Sequence, residues 1–375
     1  MDMIVKSRYN NLFMVSSLQF CGNIEEYFSQ HCEKLVAFIV MPRLKNKGNL
    51  LRVYKYKKLT LEQKVWSSEN IFLYYLSWYI FHIFFILKYF SRNEKLVVYS
   101  PHPISFFAMS LQKLIRNITF IYFVGDFFPP TAFSLRLFEK LKKFYHDGIP
   151  YATYLSDKIN KQMNGDILDT AYRKTVMWGV KPKHIQRNLP SSICSLLFVG
   201  LIKPGQGLES LLLFIKNYKD YKLNIIGNCS NDFYKKYQQK IKNYGIQSRV
   251  FFPNKFFSDR ELDSVSKTCH IGIALYATSN KSSTFYTDPG KVKAYTEMGL
   301  PVVMSNTSAV VPYVKKFNAG KIVTLHEKSI EAALLAIKEN YEYYKKGVEA
   351  FNNFFYYESY YKKKFNFLEK IYNEL

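Results

Sequence analysis

The chain has 375 residues and is 48% hydrophobic, so it can bury the cores of two domains, and an intrinsically disordered protein is excluded. Lys and Arg number 53 against 29 Asp and Glu, which gives a formal net charge of +24. This excess favours an anionic partner such as a membrane surface, a nucleic acid or a phosphorylated substrate, and charge alone does not choose among them.

The five cysteines contain no Cys-x-x-Cys pair and have no histidine at metal-ligand spacing. This pattern predicts a reducing compartment and no structural zinc. The first ten residues are polar and precede no apolar signal core, so no secretory signal is predicted.

Short apolar runs alternate with helical stretches through the first half of the chain, the pattern of a parallel α/β sheet. The predicted strands there are 11–16, 35–41, 50–56, 96–100, 119–124, 152–155 and 175–178.

Residues 71–87 carry no formally charged side chain. The run is slightly shorter than the roughly 20 residues of a membrane span, and polar aromatic side chains lie through its middle instead of at its edges. Three interpretations stay open, namely a core helix, a helix lying on a membrane surface and a true span.

The alternation of strands and helices repeats in the second half of the chain. The predicted strands are 195–199, 222–226, 249–252, 271–275, 301–304 and 321–324. A polar, proline-containing stretch over 180–192 is the predicted linker. We therefore predict domains over 1–185 and 186–350, followed by a helical tail over 351–375 that packs back on the first domain.

Residues 287–303 predict a capped helix that leads directly into a buried strand. Asp288 suits an N-cap, Pro289 suits the first helical position, and Gly299 suits a left-handed C-cap. The helix is therefore expected over 289–298.

The start of this helix carries the most chemical information in the sequence. Its first-turn amides, its dipole and Lys291 would together bind a phosphate or diphosphate, and Gly290 would let the ligand approach the backbone. The alternative is an ordinary capped helix before a strand.

The same stretch resembles the donor-binding motif of GT-B glycosyltransferases, in particular family 4 and its relatives, which reads Pro-x-Lys-x-x-x-Tyr-x-x-x-Gly-x-Pro-Val-Val. The matching residues are Pro289, Lys291, Tyr295, Gly299, Pro301, Val302 and Val303. The resemblance is clear over 194–324 and implies an α/β fold of two Rossmann-like domains facing each other across a crevice.

Three strand ends of the second half extend the resemblance. Gly200 would let a sugar diphosphate approach, Gly227 would lie beside the nucleotide, and Phe252 would lie near its base. Because ligands of such sheets bind at the carboxyl ends of strands, these residues are expected to converge with Lys291.

The chain departs from the family pattern at several donor positions. Leu201 and Gln206 stand where many members have Arg and Lys, and Lys203 nearby is the candidate substitute. The two family glutamates are replaced by Tyr286 and Ala294, so the stereochemical outcome, retention or inversion, stays open.

Glu297 lies one helical turn beyond Ala294 and is the candidate to reach the donor ribose, with a solvent-exposed glutamate as the alternative.

Two loops of the first half are candidates for the reacting groups. His102 follows a predicted strand and resembles the family histidine that touches the transferred sugar, where it would donate to a hydroxyl or transfer a proton. Asp126 follows the next strand and would be the acceptor-side base if the reaction inverts. The alternatives are a structural or merely exposed His102 and an Asp126 that caps the turn into the next helix.

The resemblance implies a hexosyltransferase-like enzyme that moves a sugar from a nucleoside-diphosphate donor to a glycan or lipid-linked acceptor, in cell-surface polysaccharide or glycoconjugate synthesis. No metal and no cofactor beyond the donor substrate are expected, because amides and basic side chains would neutralise the leaving diphosphate.

The net charge and the apolar run at 71–87 favour a cytoplasmic protein, peripheral on the inner face of the plasma membrane, with an anionic surface as partner. The alternative function is a catalytically inactive GT-B-like protein that binds an anionic polymer or a membrane. Nucleic-acid binding ranks behind both, and no nucleic-acid partner is predicted.

Overall fold

The structure, a computed structural model, describes residues 8–17, 22–41, 48–167, 169–186, 190, 193–277 and 282–374. The chain divides into two compact units, unit 1 comprising Met1–Gly179 and Tyr357–Leu375, and unit 2 comprising Val180–Tyr356. The division falls a few residues before the predicted boundary at 185, and the segment that returns to unit 1 begins at Tyr357 instead of at 351.

Unit 1 is built on one sheet of eight strands in the order β4-β3-β2-β1-β5-β6-β7-β8. Its elements are, in chain order, β1 (Tyr9–Ser17), α1 (Ile24–His31), β2 (Cys32–Val40), β3 (Asn49–Lys55), β4 (Lys58–Val65), α2 (Ile71–Tyr89), β5 (Leu96–Ser100), α3 (Pro103–Lys113), β6 (Ile118–Val124), α4 (Phe133–Asp147), β7 (Tyr151–Tyr154), α5 (Asp157–Asn164) and β8 (Arg173–Thr175).

The prediction of a parallel sheet is wrong at one edge of unit 1. β3 pairs antiparallel with β2, and the unpredicted β4 pairs antiparallel with β3. Tyr56 and Lys57 turn the chain with positive φ angles of 45° and 70°. Because neither is the Asn or Gly that normally marks such a turn, the sequence gives little warning of the hairpin.

The predicted strand over 175–178 is also misplaced, because β8 ends at Thr175. The Val176 amide still donates to the Tyr154 carbonyl at 2.7 Å, so the ladder continues for one hydrogen bond beyond the strand. Val176 and Met177 are buried although they lie beyond the strand.

α2 packs against the sheet of unit 1. Its inner face, including Trp78, His82 and Phe85, is buried in the core. By length and composition α2 could cross a membrane, but a third of it (33%) is buried inside the protein. The core-helix interpretation therefore holds for one face, while the other face exposes large apolar side chains such as Phe72 and Ile80.

Unit 2 is built on six strands, all parallel, in the order β11-β10-β9-β12-β13-β14. All six strands predicted for the second half are present, with ends within two residues of prediction. The elements are β9 (Cys194–Val199), α6 (Leu208–Asn217), β10 (Tyr221–Ile226), α7 (Asn231–Asn243), β11 (Val250–Phe251), α8 (Asp259–Ser266), β12 (Ile271–Ala274), α9 (Gly290–Glu297), β13 (Val302–Ser305), α10 (Val311–Lys316), β14 (Gly320–Val323), α11 (Glu327–Glu339) and α12 (Tyr341–Phe355).

The chain then returns to unit 1 through α13 (Tyr357–Lys364) and α14 (Phe367–Glu374). Tyrosine hydroxyls fix these helices there. Tyr361 donates to the Gly22 carbonyl at 2.7 Å, and Tyr372 donates to the Asn11 carbonyl at 2.7 Å. The aromatic residues of the tail are thus mostly core residues of unit 1.

Candidate functional site

The N-terminus of α9 is the first part of the candidate site. The helix begins at Gly290 with Pro289 as its N-cap, and no side chain caps it, so the predicted Asp288 cap is wrong. The Val292 amide donates to the Pro289 carbonyl at 3.0 Å. The amides of Gly290 and Lys291 come before it, at the positive end of the helix dipole. No atom would lie within 4 Å of a Cβ on Gly290, so the approach to these amides is open.

Asp288 has a structural position instead. It is buried, and its Oδ2 lies 3.8 Å from the Nζ of Lys293, which is also buried. Burial lowers the pKa of Lys293 to about 7, and the nearby Asp288 carboxylate opposes that shift. The pair fixes the residue before the N-cap to the second turn of the helix.

Lys291 is the central cation of the site. Its Nζ is buried and has no hydrogen-bond acceptor among the described residues. It lies over the rings of Phe198 and Tyr276, at 4.4 Å and 5.0 Å from their centroids. Burial lowers the pKa of Lys291 to about 7. A buried amine without an acceptor is costly, so this position is prepared for an anion that the protein does not itself supply.

Gly200 and Gly227 bring two strand ends to the same place. A Cβ on Gly200, whose φ is 125°, would lie 3.5 Å from the Cε of Lys291. A Cβ on Gly227 would lie 1.8 Å from the Gly200 carbonyl oxygen. Only glycine at residue 227 permits this approach of the β9 and β10 ends, which places Gly200 beside Lys291.

Tyr295 holds α9 in register with the sheet. Its hydroxyl accepts a hydrogen bond from the Val199 amide at 2.8 Å and donates to the Ile273 carbonyl at 2.9 Å. Its ring lies over Gly272, where a Cβ would come within 2.3 Å of a ring atom. The tyrosine of the motif therefore ties the helix to β9 and β12 and fixes Lys291 relative to Gly200.

Three other predicted donor residues are not part of this cluster. Phe252 is buried in the core against Tyr234, with ring centroids 5.1 Å apart. Lys203 is exposed on the turn after β9. Glu297 lies at the opposite end of α9, where its carboxylate accepts a hydrogen bond from the Lys181 amide at 2.8 Å, so it is not brought to Lys291.

The sequence analysis does not identify two residues of the site. The rings of Phe198 and Tyr276 pack against the Lys291 amine. An aromatic residue at the end of a strand does not indicate in the sequence that it will contact a lysine. Gln206 and Asn228 each hold a buried side-chain oxygen without a partner among the described residues.

His102 and Asp126 occupy one edge of the unit 1 sheet. They follow β5 and β6, which are neighbouring parallel strands, so both lie at carboxyl ends. His102 is the N-cap of α3, and its Nδ1 accepts a hydrogen bond from the Ile104 amide at 3.1 Å. Burial lowers the pKa of His102 to about 4. The neutral ring must then carry its proton on Nε2, which is a donor.

A buried chain of hydrogen bonds positions the His102 loop. The His102 amide donates to the Ser100 hydroxyl at 3.3 Å, which pairs with the Ser105 hydroxyl at 2.5 Å, and Ser105 in turn pairs with Nε2 of His82 at 2.7 Å. His82 donates from Nδ1 to the Trp78 carbonyl at 2.7 Å. Burial lowers the pKa of His82 to about 3, which keeps Nε2 an acceptor.

Asp126 does not cap the following helix, because α4 has Ala132 as its N-cap and no side-chain cap. Its side chain is exposed, while its backbone carbonyl accepts a hydrogen bond from Lys142 at 2.5 Å. Lys142 also pairs with Glu139 at 2.9 Å, so the loop that carries Asp126 is held against α4.

Solved structures share this fold along nearly the whole chain. Sucrose-phosphate synthase from Thermosynechococcus elongatus is 12% identical with a TM-score of 0.70, covering 98% of this chain and 100% of that chain. The E. coli trehalose-phosphate synthase bound with UDP-2-fluoro glucose is 12% identical with a TM-score of 0.65, covering 96% and 99%. Anabaena HepE in complex with UDP is 12% identical with a TM-score of 0.63, covering 97% and 99%.

The chain has the GT-B fold of these glycosyltransferases, as the donor-motif resemblance predicted. No protein-family model and no curated protein sequence matches it. At 12% sequence identity, the similarity to these structures shows the fold alone.

Proposed function

We propose that the protein is a glycosyltransferase that takes a sugar from a nucleoside-diphosphate donor and transfers it to a hydroxyl of a glycan or a lipid-linked acceptor. The observation that carries this proposal is the buried Nζ of Lys291, which has no acceptor among the described residues and lies beside the open start of α9. A cation and a helix N-terminus at one point suit a diphosphate. Two of the solved GT-B structures contain UDP or a UDP sugar.

In this proposal the protein neutralises the diphosphate leaving group with its own groups. Lys291 and the first-turn amides of α9 stabilise the negative charge that grows on the diphosphate as the glycosidic bond breaks. The reaction then needs no metal, and no cofactor besides the donor. Among the described residues there is no group of three His, Cys, Asp or Glu side chains that could bind a metal ion.

The acceptor is proposed to react at the edge of unit 1 that carries His102 and Asp126. His102, neutral and protonated on Nε2, donates a hydrogen bond to a sugar hydroxyl and does not act as a base. Asp126 is the exposed carboxylate of that edge and takes the acceptor proton if the reaction inverts. Synthesis of cell-surface polysaccharide or glycoconjugate is the proposed context.

A catalytically inactive GT-B-like protein that binds an anionic polymer or a membrane surface is the second candidate. The observation that favours it is the replacement of the two family carboxylates by Tyr286 and Ala294. The two candidates are distinguished by whether the protein transfers sugar from any donor.

Replacing Lys291 by alanine should weaken nucleoside-diphosphate binding by about tenfold to a hundredfold, since a hydrogen bond between charged groups contributes roughly 1.5–3 kcal/mol. The measurement is titration calorimetry with UDP, GDP, CDP and ADP, after a thermal-shift screen has chosen the nucleotide that binds. Lys291→Met should lose as much affinity, because it keeps the buried volume and removes the amine.

The control is Lys242→Ala, which removes an exposed lysine of α7 and should leave affinity unchanged. EDTA should leave the affinity of the unaltered protein unchanged as well. Equal affinity in the Lys291→Met and unaltered proteins would remove Lys291 from the site.

Binding should also take up a proton at mildly alkaline pH. The free Lys291 amine has a pKa of about 7, and a bound diphosphate favours its charged form and so raises that pKa. Affinity should therefore fall as pH rises above 7, by at most about tenfold per pH unit. Calorimetry at about pH 8 in two buffers of different ionisation enthalpy measures the uptake. Lys291→Met should show none, and uptake that persists in this variant would assign the titration to another group.

A further inference from the structure

The outer surface of three neighbouring helices of unit 1 is apolar and uncovered. α2 packs along α3, and Phe107 of α3 meets Tyr145 of α4 with ring centroids 5.1 Å apart, so the three helices form one layer. The side chains that this layer turns outward include Phe72, Ile80, Phe107, Phe133, Leu137 and Phe144, and we call them the α2–α4 face.

Several of these side chains are almost fully exposed. Phe133 is 79% exposed, Phe144 is 74% exposed and Phe72 is 70% exposed. On α4 the spacing of Phe133, Leu137, Leu141 and Phe144 places them along one stripe of the helix. A contiguous apolar surface of this kind marks a place of interaction with a partner or a membrane.

The charges on the same three helices indicate which partner binds the α2–α4 face. α2 and α3 contain no Asp or Glu, and α4 exposes Arg136, Lys140 and Lys143 beside its apolar stripe. Long basic side chains next to apolar ones can reach lipid phosphates while the apolar groups enter the acyl region. Two copies of this face would repel each other, because each is cationic and the whole chain carries +24.

We propose that the α2–α4 face binds the surface of an anionic lipid bilayer. The inner face of α2 stays in the core of unit 1, where Trp78, His82 and Phe85 are buried, so α2 lies on the membrane and does not span it. This attachment is independent of nucleotide binding, which depends on residues of unit 2.

The test is flotation of the full chain with vesicles of phosphatidylcholine, with and without about one-third phosphatidylglycerol. The unaltered protein should float only with the anionic vesicles, and binding should fall at least tenfold when about 1 M salt shortens the Debye length. Phe133→Ser with Phe144→Ser should lower the partition coefficient by at least tenfold, because both side chains lose their burial in lipid.

A charge variant, Arg136→Gln with Lys140→Gln and Lys143→Gln, should lower binding and flatten its salt dependence. The matched control, Leu335→Ser with Tyr343→Ser, removes two exposed apolar side chains of unit 2 and should bind like the unaltered protein. Circular dichroism melts confirm that every variant is folded.

Three results would overturn the proposal. Vesicle binding that the Phe133 and Phe144 changes leave intact would place the membrane contact elsewhere. A dimer in sedimentation velocity that these changes dissociate, without vesicle binding, would assign the face to a second copy of the chain. Retention in membranes that resists salt and carbonate and yields only to detergent would make α2 a span.

Discussion

Asparagine in place of His102 should lower the turnover number for sugar transfer by roughly 10²–10³, the usual cost of losing one donor that acts in a transition state. The structure makes asparagine the informative replacement. His102 caps α3 by accepting the Ile104 amide at 3.1 Å, and asparagine is also a favoured N-cap. His102→Asn therefore keeps the cap and removes the Nε2 donor.

His102→Ala removes both functions and should show the same loss of turnover with an additional loss of stability of about 0.5–2 kcal/mol. Nucleotide affinity should barely change in either variant, since the residues that set it lie in unit 2. Turnover that stays near normal in His102→Asn would leave His102 with a structural role only.

The pH profile gives a second readout for the same residue. Burial holds the pKa of His102 at about 4, so the imidazole is neutral throughout the range where most enzymes are assayed. Turnover should show no acid limb near pH 6.5, the ordinary pKa of histidine. An acid limb there that disappears in His102→Asn would mean that the ring titrates and takes part in proton transfer.

Asp126→Asn is the companion variant at the same sheet edge. If Asp126 is the acceptor-side base, its loss should cost roughly 10²–10⁴ in turnover with nucleotide affinity unchanged. Analysis of the anomeric configuration of the product then shows inversion. Near-normal turnover in Asp126→Asn would remove the base assignment and the argument for inversion that rests on it.

Replacing Asp288 by asparagine should lower the free energy of unfolding by about 3–5 kcal/mol at about pH 5, where Lys293, with its pKa of about 7, is charged, because the change leaves that buried charge without its counter-ion. Asp288 Oδ2 lies 3.8 Å from Lys293 Nζ, and both side chains are almost fully buried. Denaturant unfolding of the two proteins measures the difference. A loss below about 1 kcal/mol would indicate that the pair is solvated or already neutral.

The double variant, Asp288→Asn with Lys293→Met, is the matched control. It removes both charges, so most of the lost stability should return, and the double-mutant cycle should show a large coupling energy.

The effect of pH on the stability that Lys293 contributes has a defined sign. Lys293 has a lowered pKa of about 7 when folded, so between that value and its unfolded value near 10.4 the unfolded chain binds more protons, and stability contributed by this group rises with pH.

Local signals were enough to find α9 and the strand that follows it. Pro289 and Gly299 stand at helix ends, where backbone geometry limits the choice of residue, and Gly299 has the expected positive φ of 73°. The β strands of unit 2 were equally readable, because parallel strands buried on both faces appear as short apolar runs.

The hairpin of β3 and β4 and the role of Asp288 were not readable in this way. The turn at Tyr56 and Lys57 lacks the usual turn residues, and most of β4 is exposed, so its apolar pattern is weak. Asp288 looks like an N-cap in sequence because any Asp before a helix does. Its actual partner, Lys293, lies one turn inside the helix and is reached only when both side chains are buried.

The sequence by itself determined the α/β class, the donor motif and its helix, and the two strand ends that carry His102 and Asp126, since each depends on residues close together in the chain. The tertiary structure decided which distant residues share the site. A Cβ added to Gly200 would lie 3.5 Å from the Cε of Lys291. Glu297 lies at the other end of α9, where it accepts a hydrogen bond from the Lys181 amide. Such contacts depend on strand order and helix register, which bring together residues about 90 positions apart and leave no local pattern in the sequence.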